Sequence, residues 1–292
     1  MNILSSFARR SILKGVAAAV SALALVYGSP LYAQIIPKKI AVYTDSIGDG
    51  GNIGRNVTTA GGNPSGPVSQ YVSYPGYSNS PSDYNLALRI HQGAGSSAYD
   101  AQQVGGSTLR DMVNGIGGAG PAFGGLTLVQ HAALVQADTV VIHLGGNDRD
   151  AQGIFNPYDA EDKTGQRIAA LGLALAAEGR RLVVIEAPYV VPEDAIAAFL
   201  GTVLAEPVDA AGLQNEYNER TTRFAGVSRG ITNGVNAVNA AYPGFAARVN
   251  YWSNGAVPMS PGATHEGLHP TLATHNAIAN AVAIQVKAWR GW

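Results

Sequence analysis

The chain has 292 residues, 46% of them hydrophobic and 13% charged, so it can bury a sizeable core and is too apolar for a disordered protein. Its 19 basic and 20 acidic side chains give a formal charge of -1, which excludes the basic field that nucleic-acid binding or attachment to an acidic membrane needs. It has no cysteine, so disulfides, thiolate zinc sites, iron–sulfur clusters and cysteine nucleophiles are excluded and chemistry rests on oxygen and imidazole.

Residues 1–33 contain no acid and place Arg9-Arg10 ahead of Ser11-Ile12-Leu13-Lys14 and an Ala, Val and Leu-rich run over 15–26. That run is short for a membrane span, and Leu31-Tyr32-Ala33 offers a small residue for cleavage, so the segment reads as a signal peptide removed after Ala33. The arginine pair followed by Leu13 and Lys14 is similar to a twin-arginine signal, and an ordinary secretory signal leads to the same compartment. Loss of Arg9, Arg10 and Lys14 leaves a mildly acidic mature chain with no membrane anchor. No Pro/Ser linker or charge run divides 34–292, which reads as a single domain.

The first element of that domain is Lys39-Ile40-Ala41-Val42-Tyr43, a short apolar run that ends at Asp45-Ser46 and predicts a buried strand. Gly, Asn, Ser and Pro then dominate 48–83, with Tyr71, Tyr74, Tyr77 and Tyr84 spread through and just beyond. This predicts a long loop inserted after a strand end, where loops of such length tend to carry function. Its tyrosines could stack on sugar rings or pin the loop to the body. Residues 139–144 and 181–187 are further buried strands, the first ending at Gly145-Gly146 and the second at Pro188; 247–252 is a weaker one. Between the second and third strands Ile168, Leu171 and Leu175 recur at helical spacing, with Gly179 as the stop. Ile278, Val282, Val286 and Trp289 mark a final helix that packs one face on a sheet. Alternating strands and helices predict an α/β domain with a parallel sheet covered on both faces.

Chemistry-bearing residues gather at these strand ends. Ser46 follows the first strand in Thr44-Asp45-Ser46-Ile47, and Asn147 follows the second in Gly145-Gly146-Asn147-Asp148, so both fall on the edge where parallel sheets present their sites. Glu266-Gly267-Leu268-His269-Pro270 precedes the last helix, with Pro270 expected in its first turn. Gly105-Gly106 is a glycine turn whose backbone N–H groups no side chain shields. A serine hydroxyl becomes a nucleophile when a base takes its proton, a histidine is that base when its other nitrogen is held, and oxyanion donors stabilise the charge that develops.

In order and spread these blocks resemble the SGNH, or GDSL-type, hydrolase family, whose blocks run Gly-Asp-Ser, a lone Gly, Gly-x-Asn-Asp and Asp-x-x-His; the likeness extends from Thr44 to His269. The resemblance implies a three-layer α/β/α sandwich with a mainly parallel central sheet of flavodoxin-like type, hydrolysing a carboxylic ester without a cofactor. Carried over, Ser46 is the nucleophile, His269 the general base, and the Ser46 N–H, the Gly106 N–H and the Asn147 side chain the oxyanion hole, with Gly105 an alternative to Gly106. Two positions depart: Thr44 stands where the family has glycine, and Glu266, the orienting acid, stands where it has aspartate. The family shape then requires Thr44 to sit in ordinary strand geometry. Asp148 is expected to support its turn.

Other candidates are weaker. His143 reads as a satisfied core histidine, and His91 and His131 lie in helix-like stretches without metal-ligand spacing, so no metal is expected. His265 and His275 flank the proposed base without an acid three residues before either. Residues 48–54 lack a phosphate-loop register, and Asn56-Val57-Thr58 matches a glycosylation sequon at the level of chance. The leading expectation is an exported serine esterase acting on a small-molecule or polysaccharide ester, the Tyr/Gly/Asn-rich loop favouring acyl groups on carbohydrate. Acyl transfer to a sugar hydroxyl and a catalytically silent glycan-binding protein are the alternatives.

Overall fold

The computed structural model describes residues 39–45, 86–103, 108–110, 126–143, 157–186, 191, 193–194, 210–250, 259–264 and 270–290, all within one compact unit, Pro37–Trp292. In chain order they form β1 (Lys39–Thr44), α1 (Leu86–Ala94), β2 (Ala98–Gln103), α2 (Leu128–Leu134), β3 (Thr139–His143), α3 (Pro157–Ala177), β4 (Arg181–Ile185), α4 (Ala210–Ala241), β5 (Ala246–Val249) and α5 (Leu272–Arg290). The strands make one sheet in the order β2-β1-β3-β4-β5, every pair parallel. This is the flavodoxin-like order, in which the chain steps to opposite sides of β1 and leaves a crevice between β1 and β3.

Side chains alternate across a strand, and the apolar runs of β1, β3 and β4 feed two cores at once. Ala41, Tyr43, Val140, Ile142, Leu182 and Val184 pack with Leu128 of α2, Ile168, Leu171 and Leu175 of α3, and Val227, Ile231 and Val238 of α4. Ile40, Val42, Val141, Val183 and Ile185 pack on the other face with Leu86 and Ile90 of α1 and Ile278, Val282 and Val286 of α5. The result is a three-layer α/β/α sandwich. Both of the helices expected from spacing are present, and Gly179 ends α3 with φ of 77°.

The sequence strands are confirmed with adjusted ends: β3 stops at His143, β4 at Ile185, and the weak fourth strand is β5, Ala246–Val249, shifted towards the N-terminus of the expected 247–252. Strand β2 and the 32-residue α4 carried no strong apolar signal. In β2 the stretch Ala-Tyr-Asp-Ala-Gln-Gln forms a strand because it pairs with β1 at the sheet edge. Helix α2 opens on a capping box: the Gln130 N–H donates to Thr127 Oγ1 at 3.2 Å and the Thr127 N–H to Gln130 Oε1 at 2.9 Å.

Helices α3 and α4 run in parallel at very short range. An added Cβ at Gly230 would lie 2.4 Å from the Glu161 carbonyl oxygen, and one at Gly172 2.4 Å from Val238 Cγ2. Across this seam Glu161 receives Arg229 Nε at 2.7 Å and Asn233 Nδ2 at 3.2 Å. With Gly165 beside Gly230 and Gly172 beside Val238, the first turns of α4 extend beyond the start of α3 by about 20 Å at 1.5 Å per residue. That overhang stands on the side where the strands end.

Candidate active site

Ser46, Gly105, Gly106, Asn147, Asp148, Glu266 and His269 lie outside the described residues, as do His265, the tyrosines of the 48–83 loop and residues 1–33. The structure instead fixes the points from which their segments leave. Thr44, the last residue of β1, pairs with Gln103 at the end of β2 on one side and with His143 at the end of β3 on the other. Three strands therefore finish in one row, spanning about 10 Å at the usual strand spacing. Ser46 is two residues beyond Thr44, Gly106 three beyond Gln103, and Asn147 four beyond His143. The row lies at the C-terminal edge of the sheet and across the β1/β3 crevice.

Thr44 sits in the ordinary strand geometry that the family shape requires. It is paired on both sides and fully buried, and a β-branched residue suits that setting. Its Oγ1 has no hydrogen-bond partner among the described residues. Asp45, the residue before the proposed nucleophile, is also buried.

His143 is the core histidine its sequence setting suggested. At 2% exposure, burial pushes its pKa down to about 3, only partly offset by a hydrogen bond to the Glu186 backbone, so the ring is neutral and fills the end of β3. Glu186 itself, just past β4, is buried and pairs with Arg248, whose guanidinium donates to Glu186 Oε1 at 2.7 Å and to Thr232 Oγ1 at 2.9 Å. Desolvation raises the Glu186 pKa and the arginine opposes it.

The other described histidines, His91, His131 and His275, are buried or hydrogen-bonded within the fold. The His131 Nδ1 and the Tyr43 hydroxyl share a 3.0 Å hydrogen bond inside the core, and burial lowers the histidine and raises the tyrosine pKa. His91 Nδ1 meets Ser96 Oγ at 2.7 Å. His275, an alternative base by sequence, is 1% exposed in the first turn of α5. Among the described residues no group of three or more His, Asp or Glu side chains is placed to hold a metal ion.

The segment that carries Glu266 and His269 is closed at both ends. Thr264 and Pro270 form an antiparallel bridge, and the Thr271 N–H donates to the Ala263 carbonyl at 2.9 Å. Pro270 was expected in the first turn of α5 but precedes it: the Thr271 carbonyl accepts the His275 N–H, which makes Thr271 the cap and leaves Pro270 one residue outside. The missing N–H does not exclude a proline from a first turn, where N–H groups have no intrahelical partner; the bridge to Thr264 holds Pro270 outside the helix.

No protein-family model matches the chain, and no curated protein matches its sequence. Among solved structures it is similar to a carbohydrate acetylesterase family member from Sinorhizobium meliloti, at 16% identity and TM-score 0.49, over 87% of this chain and 99% of that one. The inhibitor-bound aryl esterase of M. smegmatis matches at 17% identity and TM-score 0.48, over 86% and 98%. The lipase/acylhydrolase from Enterococcus faecalis matches at 17% identity and TM-score 0.47, over 86% and 96%.

Proposed function

We propose that this chain is an exported serine ester hydrolase that cleaves a carboxylic ester, such as an acetyl ester on a carbohydrate. The observation that carries the reading is the row Gln103, Thr44, His143: the segments bearing Gly106, Ser46 and Asn147 all leave from one short line at the crevice where open parallel sheets bind ligands. Thr44 still departs from the family's glycine, but its paired and buried strand geometry meets the condition the family shape sets and supports the reading.

In this mechanism His269 takes the Ser46 proton as Oγ attacks the ester carbonyl. The oxyanion that forms is held by the Ser46 and Gly106 N–H groups and the Asn147 side chain, a type of interaction worth about 3 to 4 kcal/mol of barrier per donor. Collapse expels the alcohol, which takes its proton from His269 and leaves an acyl-serine, and water activated by the same imidazole completes hydrolysis. Glu266 orients the imidazole and stabilises its charged form. Where a sugar hydroxyl replaces that water the product is a transferred acyl group, so product analysis with and without a sugar acceptor separates hydrolase from transferase.

The test is labelling with a serine-directed fluorophosphonate followed by peptide mapping, together with turnover of a short aryl ester. Label on Ser46, lost in Ser46→Ala and His269→Ala along with turnover, is the expected result. An unlabelled protein, or a folded Ser46→Ala variant with wild-type turnover, refutes the proposal.

A further inference from the structure

Asp194 lies between β4 and α4, remote in sequence from every motif above, and its side chain is buried. Both carboxylate oxygens are occupied by the turn that leads to Glu266 and His269. The Gly262 N–H donates to Oδ1 at 2.6 Å, while the Thr264 N–H and the Thr264 hydroxyl donate to Oδ2 at 2.8 and 2.6 Å. Hydrogen bonds to an ionised acceptor are short and roughly twice as strong as neutral ones, and these three, from Gly262 and Thr264, converge on one carboxylate. Gly262 adopts φ of +87° with open space around it, a conformation that lets its N–H turn inward to the acid.

The clamp extends to the far side of the loop. Thr264, held twice by Asp194, bridges Pro270, and the Ala263 carbonyl accepts both the Thr271 N–H at 2.9 Å and the Thr274 hydroxyl at 2.8 Å. The segment 265–269 therefore enters and leaves through one hydrogen-bonded stem, with a single carboxylate at its base and the first turn of α5 at its exit.

Resting on the esterase reading above, we infer that Asp194 is a positioning residue for the base: it fixes the stem of the loop that carries His269 and so sets the reach of the imidazole to Ser46. Its charge matters because both oxygens face donors. An asparagine would turn an NH2 group towards an N–H or the Thr264 hydroxyl, and one side of the stem would be pushed off.

The experiment uses the full mature protein and reads kcat, KM and the rate of fluorophosphonate labelling well below the melting temperature, with circular dichroism to verify folding. Asp194→Asn is expected to lower kcat and the labelling rate together by about 10²-fold, the loss typical of a misplacement near 1 Å, with KM changed less than about threefold. Thr264→Val removes one of the three donors and is expected to lower both rates by a smaller factor, while Thr264→Ser keeps the hydroxyl and restores them. Should Asp194→Asn fail to fold, the Thr264 pair decides by the same readouts. A folded Asp194→Asn or Thr264→Val protein that melts earlier yet labels and turns over like wild type overturns the inference and leaves the esterase reading intact. Wild-type protein that is not labelled at Ser46 overturns the esterase reading itself, and the role of Asp194 with it.

Discussion

The contact between α3 and α4 makes a sharp prediction about stability. At Gly230 a methyl group would sit 2.4 Å from the Glu161 carbonyl oxygen, 2.8 Å from Thr164 Cβ and 3.1 Å from the Gly165 nitrogen. Two of these are backbone atoms that no rotamer change can move, so Gly230→Ala forces the helices apart by about 1 Å to reach ordinary van der Waals contact. Overpacking of this kind costs about 1 to 3 kcal/mol, or more against a rigid partner, and separation also weakens the contacts at Gly234, whose Cβ position lies 2.6 Å from Ile168 Cβ. Alanine returns about 1 kcal/mol through its better helix propensity. The net expectation is a loss of about 2 kcal/mol, or roughly 4 to 8 °C in Tm for a domain of this size. Gly165→Ala is the matched control. Its nearest contact is 3.2 Å, to the Gly230 carbonyl oxygen, followed by 3.6 Å to Asn233 Cβ, so propensity and crowding nearly cancel. Urea unfolding of the two variants beside wild type measures the difference. A Gly230→Ala midpoint equal to or above wild type would refute the packing argument, as would Gly165→Ala proving the more damaging change.

Three further outcomes are expected. Glu266→Gln should depress kcat far more than KM, the mark of an interaction made chiefly in the transition state, and Glu266→Asp should fall below wild type because shortening withdraws the carboxylate by about 1.5 Å; near-normal kcat in Glu266→Gln would remove Glu266 from the mechanism. Replacing Arg9 and Arg10 by lysine should leave precursor inside the cell, and normal export of that variant in a fractionation assay would favour the ordinary secretory route. Because the folded protein holds His143 neutral, with a pKa of about 3 against about 6.5 when unfolded, the unfolded chain binds the extra proton between those values. Stability from this site is complete above about pH 6.5 and is lost as the pH falls towards 3. Urea midpoints from pH 7 to 4.5 should therefore drop more steeply for wild type than for His143→Gln, and parallel curves would contradict the assignment.

Local sequence was enough wherever burial acts on a contiguous stretch. Strands β1, β3 and β4 are covered on both faces and so must be continuously apolar, while the spacings of Ile168, Leu171 and Leu175 and of Ile278, Val282 and Val286 mark helices that each bury one face. The layers of the sandwich follow from that alternation. The burial of His143 was also legible, because an imidazole within a fully apolar strand can be accommodated only as a neutral core group. The capping box of α2 has a local signature too, the Thr127-x-x-Gln130 spacing ahead of an apolar run.

What the tertiary structure decided has no signature of that kind. Strand β2 exists because β1 offers it a partner at the sheet edge, where backbone hydrogen bonds can outweigh a polar sequence. Helix α4 is mostly polar and interrupted by glycines whose value appears only when α3 lies against them. The finishing of Gln103, Thr44 and His143 in one row is a matter of register between strands far apart in the chain, which the period of any single strand leaves open. Asp194 is the clearest case. Its donors lie about seventy residues away, and a carboxylate in an unpatterned stretch becomes the anchor of the Glu266–His269 loop only because folding buries it beside three converging donors that would otherwise lose their hydrogen bonds to water.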